Sequence, residues 1–115
     1  MNTQNVRKEW MNLWQQLQTR ADALHDSQSV ALGLLNAYDQ LSVGERAEVQ
    51  SILAEWLLSE DNRRRYDACF LITERLIREL APAVGSAIDR LKGLPGPEAR
   101  DEVEILEQLR EALAK

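Results

Sequence analysis

The chain has 115 residues, of which 44% are hydrophobic and 29% charged, and it carries a formal net charge of −5. That length supports one hydrophobic core and that balance excludes wholesale disorder, while a single cysteine excludes an internal disulfide framework and a cysteine-rich zinc site. Counting basic minus acidic residues gives −1 for positions 1–41, −1 for 42–92 and −3 for 93–115. With no net-basic segment, general nucleic-acid binding is not expected, because it needs local neutralisation of many phosphates.

Only five glycines and three prolines occur. Leu, Ala, Glu, Gln and Arg outnumber the β-branched and aromatic types, so composition predicts an all-α chain, and the order of elements predicts about six antiparallel helices, in a repeat array or a compact bundle. A single domain is expected over residues 1–115, with an N-terminal helical pair at 1–41, a core at 42–92 and a C-terminal helix at 97–115.

The first helix is expected from about Thr3, as N-cap, to Leu24. Val6, Trp10, Leu13, Trp14, Leu17, Ala21 and Leu24 recur at spacings of three and four and define its apolar face. A heptad reading through the same stretch is broken by Arg20, and a coiled coil would need a longer repeat. Asp26 to Ser29 supplies a turn, after which Val30, Leu34, Leu35, Tyr38 and Leu41 form the inner side of a second helix. Ser42 and Glu45 stand three apart in capping-box spacing at the head of a third helix. That helix should turn Val49, Ile52, Leu53, Trp56 and Leu57 inward and Glu48 and Glu55 outward.

Ser59 to Asn62 is a further capping cluster, and a fourth helix is expected from near Arg63, burying Tyr66, Cys69, Phe70, Thr73, Leu76, Ile77 and Leu80. Pro82 marks a bend and opens a fifth helix with Val84, Ala87, Ile88 and Leu91 inward. Gly93 to Pro97 is the clearest loop. Pro97 then opens a sixth helix with Ile105, Leu109, Ala112 and Leu113 inward, and acidic residues in its first turns suit the helix dipole.

From Ser42 to Lys92 the pattern resembles HEAT-type helical repeats. In that family an Asp sits in the turn between paired helices, an Arg follows in the first turn of the second helix, and an Ala comes three residues later. Asp61, Arg65 and Ala68 occupy those places here, followed by Leu71 and Ile72. A proline-opened helix, as at Pro82, is similar to the start of the next repeat. The resemblance covers about half the chain and implies a partner-binding role without naming the partner. No internal repeat of fixed period is visible, and the first helix does not match the pattern.

Chemistry is sparsely signalled. His25, the one histidine, lies beside Asp26 and has no companion for a metal shell. Cys69 falls on the expected buried side and reads as inert packing. Glu98, Asp101, Glu102 and Glu104 are explained by the start of a helix, and Gly93 to Pro97 lacks the lysine and spacing of a phosphate loop. An enzyme is therefore not expected, nor a cofactor. Trp10, Trp14 and Trp56 read as core where the first and third helices meet, or as the lining of an apolar-ligand pocket. The polar N-terminal stretch and the lack of a long apolar run predict a soluble cytoplasmic protein with no membrane segment.

The run Arg63-Arg64-Arg65 looks basic, but Glu60 and Asp61 offset it and Arg63–Asp67, Glu74–Arg78 and Arg75–Glu79 stand at i,i+4 spacing. Arg65 leans to the apolar boundary, where its head can reach a carboxylate. Arg64, Asp67, Leu71, Glu74, Arg75 and Arg78 share the opposite stripe of the fourth helix. Leu71 within it is either covered by the chain's own domain or the apolar anchor of a protein–protein contact. The function expected is a non-catalytic interaction module using that stripe, with a homodimer left open. The alternatives are an immunity or antitoxin protein capping a basic toxin with its acidic surface, and an apolar-ligand binder.

Overall fold

The computed structural model describes residues 5–24 and 28–115. Among them are six helices and no strand: α1 (Val6–Leu24), α2 (Gln28–Asp39), α3 (Val43–Leu57), α4 (Asn62–Arg75), α5 (Ala81–Lys92) and α6 (Pro97–Ala114), with a 3-10 turn at Arg78–Leu80 before α5. The all-α expectation is met. Thr3, His25 and Asp26 lie outside the described residues. The chain forms two compact units, residues 1–53 and 54–115, and the boundary between Leu53 and Ala54 falls within α3.

In the first unit α1 packs against α2. Val6, Trp10, Trp14 and Ala21 of α1 are buried as their spacing predicts, while Leu24, at the last position of the helix, is 67% exposed. Gly33 permits a close approach between the two helices, since a Cβ there would stand 2.8 Å from Leu17 Cδ2. Val30, Leu34, Leu35, Tyr38 and Leu41 are all buried.

The capping box forms in full: the Ser42 N–H donates to Glu45 Oε1 at 3.0 Å and the Glu45 N–H donates to Ser42 Oγ at 3.2 Å. This donation from the Ser42 backbone holds the Glu45 carboxyl below its ordinary value. Arg46, one residue on, ties the head of α3 to the tail of α2. It donates to the carbonyls of Tyr38 and Asp39 at 3.2 and 2.8 Å, satisfying acceptors that the helix end leaves unpaired, and its guanidinium lies 5.3 Å from the centre of the Tyr38 ring.

In the second unit Trp56 and Leu57 end α3 inward. Asp61 caps α4 by accepting from the Arg63 N–H at 2.9 Å, as the capping cluster implied. The helix is shorter than its apolar pattern suggests. It stops at Arg75, and Leu76 adopts the left-handed conformation at φ 46° and ψ 57°. The Ile77 N–H then reaches back to the Ile72 carbonyl at 3.2 Å, the six-to-one bond of a Schellman ending. Glycine normally fills that left-handed position. Here Ile72 and Ile77 on either side of the turn are both buried, and their burial holds leucine in it.

After the 3-10 turn, α5 begins with Pro82 in its first turn and buries Val84, Ala87, Ile88 and Leu91 as expected. Gly96, at φ 105°, supplies the positive φ of the loop into α6, and the short connection returns α6 onto α5. Among the described residues no helix is long and apolar enough to cross a membrane.

Candidate functional site

The expected contact stripe on α4 does not exist as a surface. Leu71 is 0% exposed and Asp67 2%, so the residue read as an apolar anchor belongs to the interior, with Ala68 and Ile72 beside it. Arg64 is half-buried, with Nε 4.0 Å from Asp61 Oδ2; Glu74, Arg75 and Arg78 are exposed. Because the helix ends at Arg75, the pairs Glu74–Arg78 and Arg75–Glu79 do not sit at helical i,i+4 spacing. The stripe therefore divides into a buried middle and an exposed cationic end.

The reason is a phase reversal. Leu76, Ile77 and Leu80, placed on a continuous helix, draw the expected apolar face toward Tyr66, Cys69, Phe70 and Thr73. Once the helix stops at Arg75, its inward face is Ala68, Leu71 and Ile72, on nearly the opposite side. Tyr66 is 52% exposed, Thr73 is exposed, and Cys69 and Phe70 are half-buried. Tyr66 and Phe70 stack on each other one turn apart, their ring centres 6.5 Å from one another. α4 is thus apolar on two sides, and its outer apolar side is incompletely covered.

A parallel correction holds for α6. Leu109 and Leu113 are buried as expected, but Ala112 is half-buried and Ile105 is 55% exposed. Val103 and Leu106 complete the inner face instead, at three- and four-residue spacing from Leu109 and Leu113.

Three of the residues whose burial departs from expectation, Tyr66, Cys69 and Ile105, meet at one place. α4 and α6 flank a groove of about 330 Å³, with Tyr66 and Ile105 on its sides and Leu57, Cys69 and Leu106 at its base. Arg65 crosses the end of it, its Nε and Nη2 donating to Glu102 Oε2 and Oε1 at 2.7 and 3.3 Å. Nη1 donates to the Ser59 carbonyl at 2.8 Å. This fork fixes α4 against α6 and against the loop before α4, and it fulfils the expectation that Arg65 would reach a carboxylate from the apolar boundary. Glu102, read in the sequence only as a dipole-compensating acid, is its partner. Glu98 and Asp101, three residues apart on α6, complete the acidic rim.

Cys69 is not activated by this setting. Burial raises its thiol above the ordinary value, the Thr73 hydroxyl partly opposes that, and the Glu102 carboxylate raises it further. Among the described residues no group of three or more His, Cys, Asp or Glu could hold a metal ion. Trp10, Trp14 and Trp56 are 0, 8 and 3% exposed and so belong to the packed interior of their respective units, and none of them lines the groove. No protein-family model, curated protein or solved structure matches this chain.

Proposed function

We propose that this protein is a non-catalytic interaction module that binds a protein partner in the groove between α4 and α6. The observation that carries the reading is the clustering of surplus apolar residues: Tyr66 and Ile105, each more than half exposed, flank one groove whose base is apolar. Exposed apolar residues scattered singly need no explanation, but a rimmed, continuous apolar concavity has the anatomy of a binding site. The HEAT-like reading belongs to the same proposal. Its support is local: Asp61 caps α4 and Arg65 anchors it to the preceding loop and to α6.

The test is a comparison of surfaces. The whole chain and its Ile105→Asp, Tyr66→Ser and Arg75→Glu variants are used to capture partners, with circular dichroism and melting temperature as folding controls. The groove variants should lose a partner that the wild type and Arg75→Glu retain. Equal capture by wild type and groove variants refutes the groove; loss confined to Arg75→Glu returns the site to the exposed end of α4.

A further inference from the structure

Resting on that reading, we infer that the groove's partner is an amphipathic helix with basic residues flanking its apolar face. The charge around the groove decides its sign. Of the four ionic residues that line it, Arg65 is engaged bidentately by Glu102, which leaves the rim to Glu98 and Asp101. The helix that carries them has six carboxylates and two arginines, and one of those carboxylates, Glu107, lies 3.7 Å from Lys92 on α5. An apolar floor beneath an acidic rim complements a segment that is apolar on one side and cationic at the edge.

The shape decides the partner's secondary structure. Glu98 to Ile105 spans seven residue steps of α6, roughly 10 Å at the rise of an α-helix, which matches two turns of a docked helix presenting side chains at i, i+3, i+4 and i+7. A peptide that binds by adding a strand would need a sheet edge, and among the described residues there is no strand. A helix satisfies its own backbone. The groove volume of about 330 Å³ suits anchoring side chains better than a whole ligand, since it lies at the low end of the range for enclosed ligand pockets.

The acidic rim also argues against other occupants. A symmetric dimer through this face would set one acidic α6 near another in a chain already at −5, and an anionic lipid or nucleic-acid surface would be repelled.

The experiment uses fluorescein-labelled helical peptides that share one leucine face and differ only in their flanks, which are lysine, glutamine or glutamate. Binding to the whole chain is followed by fluorescence anisotropy at low and high salt, with sedimentation to monitor self-association. The lysine peptide should bind about tenfold more tightly than the glutamine peptide at low salt, as two partly exposed ion pairs would give, and high salt should close the gap. Glu98→Gln with Asp101→Asn should remove that preference, and Ile105→Asp should abolish binding of every peptide. Ile105→Ser serves as a milder second variant whose fold is checked by its melting temperature. Equal binding of lysine and glutamine peptides, both lost in Ile105→Asp, overturns the inference about charge and leaves the groove standing. No binding by any peptide, or binding indifferent to Ile105→Asp, overturns the groove reading as well. A dimer that Ile105→Asp dissociates assigns the face to a second copy and overturns the inference.

Discussion

Leu71 and Ile105 are both large aliphatic residues on helices of the second unit; the sequence pattern leaves Leu71 either covered or a contact anchor and turns Ile105 inward, whereas the structure buries Leu71 and exposes Ile105. Truncating each to alanine measures the difference directly. Leu71 is 0% exposed, so Leu71→Ala removes its buried methyl groups and leaves a cavity, a loss of about 2–5 kcal/mol. Ile105 is 55% exposed and should lose no more than about 0.5 kcal/mol. For 115 residues the unfolding entropy is about 0.24 kcal/mol/K, so a mid-range loss of about 3 kcal/mol lowers the melting temperature by about 12 °C, against about 2 °C for Ile105→Ala. The shift is larger if residues 54–115 melt as a unit of their own. Alanine is the right replacement, because an aspartate at position 71 would bury a charge and could unfold the unit outright. Calorimetry with urea denaturation as a second measure supplies both values. A Leu71→Ala protein that melts within about 2 °C of wild type, or an Ile105→Ala protein that is the less stable of the two, would refute the packing described here.

Arg65→Lys should cost about 1–2 kcal/mol in urea denaturation, because one ammonium cannot reproduce the fork to Glu102 and the bond to the Ser59 carbonyl together, and the pair is partly screened at 16 and 31% side-chain exposure. A double-mutant cycle with Glu102→Gln should return a non-zero coupling. Glu45 is depressed in the folded chain, so it contributes stability above its ordinary value of 4.5 that is lost as pH falls through its lower folded value; Glu45→Gln should flatten the stability–pH curve over that acid window, and side-chain NMR titration should place the Glu45 midpoint below 4.5. Leu76→Gly should change stability by no more than about 1 kcal/mol in the same denaturation assay: relief of about 1–2 kcal/mol at a left-handed residue is offset by about 0.5–1 kcal/mol of added unfolded-state entropy and by loss of the covered part of a leucine that is 42% exposed. Alkylation of Cys69 should be slow at neutral pH and show a midpoint above the ordinary thiol value of 9.0, and bound peptide should slow it further.

Most of the element order was legible because it rests on local chemistry. The Ser42–Glu45 box, the Asp61 cap, the proline starts of α5 and α6 and the Gly93–Pro97 loop each depend on residues a few positions apart, and each forms as read. The inner faces of α2, α3 and α5 were legible because their buried residues recur at three- and four-residue spacing, although Leu32 on α2 and Val43 on α3 stand exposed. Arg65 was half legible: its place at the apolar boundary follows from α4 itself, but Glu102 is 37 residues away and no local pattern names it. Arg46 was not legible, because its acceptors are backbone carbonyls, which leave no trace in residue type.

The failures on α4 and α6 have a common cause that bears on function. Periodicity identifies a buried face only when a helix has a single apolar face. α4 has two, Ala68–Leu71–Ile72 within and Tyr66–Cys69–Phe70 without, and the leucine that ends it lacks the glycine that would have marked the stop. α6 likewise carries Ile105 off the line of Val103, Leu106, Leu109 and Leu113. Burial in the core accounts for one face of each helix; on the second faces Tyr66 and Ile105 stand more than half exposed to water. If the two surplus faces were unrelated, they would have no reason to line the same groove. Tyr66 and Cys69 from α4 and Ile105 from α6 line it with Leu57 and Leu106 beneath an acidic rim, so three of the residues whose placement departs from the helical wheel are ones the proposed partner would cover.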